Sequence, residues 1–172
     1  DIVGFGMGEA QIVEICERLR DGKSIADCRD MRGVAYLLGS KEELPAHEWR
    51  DAHSDNKTVA LPSFEDVKAD KRAFAEATRA LHHETNPKNG RRLTQRHGDR
   101  TLVVNPPALA LAERDMDEIY DHTYTRRRHP RYTQDIPAHT MIKDSVTTMR
   151  GCFGGCTFCS ITMHQGRAIQ SR

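Results

Sequence analysis

Three cysteines, Cys152, Cys156 and Cys159, stand at C-x3-C-x2-C spacing within Arg150-Gly151-Cys152-Phe153-Gly154-Gly155-Cys156-Thr157-Phe158-Cys159. Thiolates are soft ligands that suit iron–sulfur clusters or zinc, and the glycines let a short backbone wrap closely around one site. The chain holds five cysteines, an odd number with three of them clustered. A disulfide framework would use an even count at dispersed positions, so the pattern points to metal ligation in a reducing compartment. An electron-carrying [4Fe-4S] cluster normally takes four thiolates, whereas three leave one iron open to a small molecule. The alternative from a different class is a structural zinc module, because His164 completes a C-x3-C-x2-C-x4-H set.

Other chemically capable residues carry less. Cys16 shares helical spacing with Ile12, Ile15 and Leu19, which makes it a small buried hydrophobe, and Cys28 has no assignable function. Adjacent His82 and His83 would point about 100° apart on a helix, and no H-E-x-x-H follows, so His82-His83-Glu84 reads as surface near a helix end. The carboxylates Glu113, Asp115 and Asp117 sit on an expected exposed helix. Gly4, Gly6 and Gly8 alternate, but Glu9 stands where a G-x-G-x-x-G fingerprint needs its third glycine, so a tight strand-to-helix turn is expected. Tyr124 to Tyr132 contains four arginines and two tyrosines, a composition that could track a nucleic-acid backbone. A solvated linker is the reading adopted, since one basic run in a neutral chain is weak evidence.

The elements that must position the cysteines come from a chain of 172 residues, 37% hydrophobic and 30% charged, with 26 Lys plus Arg against 25 Asp plus Glu. A net charge of +1 gives no overall field for nucleic acid or an anionic membrane. The length allows one domain or two small ones, and falls short of the about 250 residues of a closed eight-stranded α/β barrel. Apolar runs are shorter than the roughly 20 residues that span a bilayer. A cytoplasmic chain is expected, with no membrane partner and no nucleic-acid partner. Residue 1 is Asp and Asp1-Ile2-Val3 already reads as a strand, so the sequence is expected to start inside a longer protein.

Ile2 to Phe5 reads as a buried strand, followed by a helix to Arg20 that stops at Gly22, and Val34 to Leu38 as a second strand. Ser63 to Glu84 reads as one helix, capped by Ser63 and Asp66, with Val67, Phe74 and Leu81 on its apolar stripe. Arg92 to Arg96 and Arg100 to Val104 form a hairpin around His97-Gly98-Asp99. A short helix is expected over Leu109 to Tyr120. Ser145 to Met149 is β-prone and leads directly into the cysteines.

With its strand before it and an aromatic residue before the last cysteine, the loop resembles the cluster loop of radical S-adenosylmethionine (radical SAM) enzymes. The surrounding Arg-Gly-Cys-Phe-Gly-Gly-Cys-Thr-Phe-Cys-Ser-Ile-Thr and Gln165-Gly166-Arg167-Ala168-Ile169-Gln170-Ser171-Arg172 are similar to the YgiQ-like branch. Gly6, Gly8 and Glu9, and Leu102-Val103-Val104-Asn105-Pro106-Pro107, resemble that branch's amino-terminal region. The resemblance implies that Cys152, Cys156 and Cys159 bind three irons of a [4Fe-4S] cluster while S-adenosylmethionine chelates the fourth. Reductive cleavage would then yield a 5′-deoxyadenosyl radical that abstracts hydrogen from a substrate. Phe158 matches the position expected beside the adenine, and a hydrophobic plug over the cluster would call for a similar residue. A reductase or flavodoxin-type electron donor is implied.

The implied fold is α/β: residues 1–110 as the tail of a nucleotide-like α/β domain with insertions, 111–140 as a basic connecting segment, and 141–172 as the first strand and cluster loop of a partial (β/α)6 barrel. Thirteen residues follow Cys159, so this stretch would offer cluster ligands without turnover of its own. A methylthiotransferase-like radical enzyme acting on RNA or protein is the related alternative, because Gly166 to Arg172 resembles that group's post-cluster stretch. Its second cysteine trio has only Cys16 and Cys28 to draw on. No D-x-H-x-x-G motif occurs, and cobalamin is not expected.

Overall fold

The computed structural model describes residues 1–46, 49, 57–156 and 158–172. They divide into two compact units, residues 1–110 with 151–169, and residues 111–150 with 170–172. Among the described residues no helix is long and apolar enough to cross a membrane.

The first unit is built on a five-stranded sheet of order β1-β2-β5-β4-β3, with β1 Ile2–Gly4, β2 Val34–Leu38, β3 Thr58–Ala60, β4 Arg92–His97 and β5 Arg100–Val104. Only β3 and β4 pair in parallel; β1–β2, β2–β5 and β4–β5 are antiparallel. The chain is therefore mixed α and β with a mostly antiparallel sheet, where a nucleotide-like α/β arrangement was expected. Helix α1 (Glu9–Arg20) and a 3-10 turn (Ile25–Cys28) return the chain so that β2 runs against β1. The hairpin closes as expected: His97 pairs with Arg100, leaving Gly98 and Asp99 as the loop. Gly98 has φ +59° and Asp99 does not share the positive φ, the pattern of a type II′ turn with glycine first.

Strand alternation sets the core. Val34, Tyr36 and Leu38 are buried and join Val103, Cys28 and Met31, with Ile2 and Ile15 packed alongside. Leu37, on the opposite face, is exposed. Asn105 is buried beneath this cluster and its Nδ2 donates to the carbonyls of Arg29 and Met31 at 2.8 and 2.7 Å. These bonds join the end of the hairpin to the turn before β2.

Four local expectations are corrected. β1 lies at the sheet edge, with Val3 exposed, and is not a buried strand. Cys16 is exposed. Helix α1 seats through Gln11 and Ile15 instead: Gln11 Nε2 donates to the carbonyls of Arg32 and Gly33 at 2.9 and 2.8 Å, turning the Ile12–Cys16–Leu19 stripe outward. The single helix over Ser63 to Glu84 is two, α2 (Phe64–Ala69) and α3 (Lys71–His83). Asp70 is extended between them, and its carboxylate accepts from the amides of Arg72 and Ala73 at 3.1 and 3.3 Å, which makes it the cap of α3. Ala73 and Ala77 are the buried residues of α3, and Phe74 is 59% exposed. Finally, Glu84 is buried: it accepts from the Arg91 amide at 2.7 Å and pairs with the Arg91 guanidinium at 2.5 Å.

The second unit contains α4 (Glu113–Asp121), α5 (Pro137–Ile142) and a two-stranded antiparallel ladder, β6 (Met149–Arg150) with β7 (Gln170–Ser171). The resemblance implied a first barrel strand in the β-prone stretch from Ser145 to Met149; the strand seen there is the two-residue β6, which begins at Met149. Tyr120 on α4 carries two guanidinium groups over its ring, those of Arg150 and Arg172 at 5.2 and 5.0 Å from the ring centre. Arg150 Nε and Nη2 donate to the Tyr120 hydroxyl at 3.2 and 3.1 Å, and Arg172 pairs with Asp117 at 3.1 Å and with Asp121 at 3.4 Å. Asp117 is thus an ion-pair partner of Arg172 while its side chain stays partly exposed. In the arginine run, Arg128 pairs with Asp135 at 2.9 Å and the Arg126 carbonyl meets a His139 ring nitrogen at 3.0 Å, while Arg127 and Arg131 are exposed.

Candidate functional site

The cysteine loop follows β6 directly, and β7 follows its last residues, so the β6–β7 ladder joins the residues on either side of 151–169. The loop opens at Gly151, a buried glycine with φ +88°. This left-handed turn rests against backbone: a Cβ on Gly151 would stand 2.0 Å from the Ala168 carbonyl oxygen. No other residue fits there. The Gly151 amide donates to Gln165 Oε1 at 3.0 Å and the Cys152 amide to the Gly166 carbonyl at 3.1 Å. Arg167 Nη2 donates to the Phe153 carbonyl at 3.1 Å. Residues 165–168 therefore form a ledge along which the entrance of the loop lies.

Cys152 and Cys159 are half-buried, Cys156 is exposed, and all three thiols are free. The Gly154 amide donates to Cys152 Sγ at 3.4 Å. Such bonds tune a metal that the sulfur holds. Gly154 has no side chain between two of the sulfurs: its Cβ would lie 3.2 Å from Cys152 Sγ and 3.9 Å from Cys156 Sγ. The Cys159 amide donates to the Cys156 carbonyl at 3.2 Å, a tight turn that links the second and third cysteines. Thr157 lies outside the described residues.

Among the described residues no three His, Cys, Asp or Glu side chains are gathered closely enough to hold a metal ion, so neither the cysteine trio nor the trio with His164 forms a closed ligand set. His164 is exposed on α6 (Ile161–His164), and its amide donates to the Ser160 carbonyl at 3.0 Å. A Cβ on Gly6 would stand 3.5 Å from the His164 carbonyl oxygen, so the glycine turn before α1 runs beside α6. Phe158 is 91% exposed. The donor chemistry nevertheless fits a sulfur-ligated metal: three unpaired thiols share one loop, two flank a Cβ-free edge, and an amide is already aimed at one sulfur. Gln165, Gly166 and Arg167 are the residues that sequence reasoning left without a structural role.

A family model described as Radical SAM N-terminal matches residues 1–145, ending just short of the cysteines. Alignments with individual relatives cover all of this chain, cysteines included. A UPF0313 protein of Rhodopseudomonas palustris is 48% identical over 182 residues, and one of Methanocella arvoryzae is 46% identical over 172 residues. The UPF0313 protein YgiQ of Escherichia coli is 41% identical over 219 residues. The chain spans 27% of the length of the first two relatives and 29% of the third. No solved structure matches.

Proposed function

This chain belongs to the radical SAM N-terminal family, within the UPF0313 relatives, and we propose that its cysteine loop is the cofactor-binding loop of a radical SAM enzyme. The single observation that carries the proposal is the Cys152–Gly154–Cys156 arrangement, in which two free sulfurs flank a backbone edge that lacks a side chain. Cys152, Cys156 and Cys159 would ligate three irons of a [4Fe-4S] cluster, leaving the fourth for S-adenosylmethionine. When bound, this cluster supplies the electron for reductive cleavage of S-adenosylmethionine. The Gly154 amide offsets negative charge on the Cys152 sulfur. The exposed ring of Phe158 offers a face for the adenine.

A reductase or flavodoxin-type protein would supply electrons, the compartment would be the cytoplasm, and residues 141–172 would begin the catalytic core, with 111–140 connecting it to residues 1–110. The test is anaerobic reconstitution with iron and sulfide, followed by metal and sulfide analysis of wild type and of Cys152→Ala, Cys156→Ala and Cys159→Ala. Wild type is expected to take up both elements and each variant to lose most of them. Zinc in place of iron, or full iron retention in Cys156→Ala, would overturn the proposal.

A further inference from the structure

Resting on the cluster site proposed above, we propose that Gln165 is a positioning residue whose side-chain carbonyl presets the Cys152 end of the loop before any metal arrives. Two successive amides, Gly151 and Cys152, donate to the same short segment, one to Gln165 Oε1 at 3.0 Å and the next to the Gly166 carbonyl at 3.1 Å. Consecutive amides face one way only where the chain curls, and Gly151 at φ +88° supplies the curl. The close approach of Ala168 to Gly151 leaves no room for the turn to shift toward the ledge.

Of the tethers that fix this entrance, the Arg167 bond to Phe153 is exposed and the Gly166 bond is backbone to backbone. Gln165 is the half-buried side chain among them. Its position is what the sequence can vary without changing the backbone. With Gly151 and Cys152 amides held on the ledge, Cys152 Sγ keeps the Gly154 amide as its donor. Loss of the Gln165 acceptor frees the Gly151 amide and loosens the turn from which the first sulfur is presented.

Hydrogen exchange on metal-free protein reads these amides directly. Gln165→Leu is expected to speed exchange in the peptide spanning Gly151 to Phe153 about tenfold, while Gln165→Glu, which keeps an acceptor oxygen, stays near wild type. Gln165→Asn keeps the amide but shortens its reach and should behave like Gln165→Leu, and unchanged exchange in β2 and β5 shows that the variants are folded. Under limiting iron and sulfide, the Leu and Asn variants are expected to load about tenfold less cluster than wild type, with Glu restoring loading. Unchanged exchange at Gly151 to Phe153 in both Leu and Asn variants, or loading equal to wild type, would overturn the inference. Wild-type protein that takes up no iron while the exchange difference persists would overturn the cluster reading instead, leaving Gln165 as a purely structural tether.

Discussion

The Gly154 amide points at the Cys152 sulfur from 3.4 Å, and a methyl group on Gly154 would stand 3.2 Å from that same sulfur. The residue thus gives a donor and withholds a side chain at one place. Gly154→Ala keeps the amide and adds the methyl, so the sulfur must move by a few tenths of an ångström. Cluster uptake should fall several-fold, and any cluster formed should show a shifted reduction potential, measured by anaerobic iron analysis and redox titration. Gly155→Ala is the control, because a Cβ on Gly155 would meet nothing within 4 Å.

Tyr120 holds two arginines at once, one on either side of the 151–169 stretch in sequence. Tyr120→Leu removes both ring contacts and the hydroxyl acceptor of Arg150, and should cost about 1–2 kcal/mol. Tyr120→Phe keeps the ring and should cost about half as much. Urea unfolding, with hydrogen exchange at Met149–Arg150 and Gln170–Ser171 as the local report, measures both.

Helix α3 tests which face is buried. Phe74→Ala should cost under about 1 kcal/mol because the ring is mostly exposed. Ala77→Leu adds bulk at a position 5% exposed and should destabilise by about 1–3 kcal/mol. Thermal or urea unfolding of the two variants gives the order directly; the reverse order would mean that the Phe74 ring contributes more packing than its exposure indicates.

The Ser24 hydroxyl and backbone amide both donate to Asp27 at 2.7 Å, and these bonds hold the Asp27 carboxyl below its ordinary range. A carboxyl lowered in the folded state contributes stability above its unfolded value, about 3.9, and that contribution is lost as pH falls through the folded value. The capping box at the 3-10 turn should therefore persist at neutral pH and weaken in acid. Carboxyl-carbon NMR titration is expected to show a lowered Asp27 midpoint that moves back up in Ser24→Ala.

What could be read in advance follows from which interactions are local. The β4–β5 hairpin was legible because Gly98 sits between two β-prone runs, and the Ser63 cap because its partner Asp66 is three residues away. Asp70 was hidden: an aspartate inside a helical pattern looks like a surface residue until its carboxylate is seen capping Arg72 and Ala73. Strand direction was hidden too, since alternation in β1 and β2 fixes which side chains face the core but not which way a partner runs. Cys16 followed a helical stripe correctly, yet Gln11 won the buried side by reaching the carbonyls of Arg32 and Gly33. At the candidate site the three cysteines were explicit in their spacing. The Gln165 tether was not, because it depends on a side-chain rotamer meeting an amide fourteen residues away.

The most direct test of a three-thiolate centre with one open iron is the low-temperature EPR spectrum of the reconstituted, reduced protein with and without S-adenosylmethionine. A [4Fe-4S] signal whose g values shift when S-adenosylmethionine is added is the expected result. A signal indifferent to S-adenosylmethionine, or a colourless protein carrying zinc, would contradict the account.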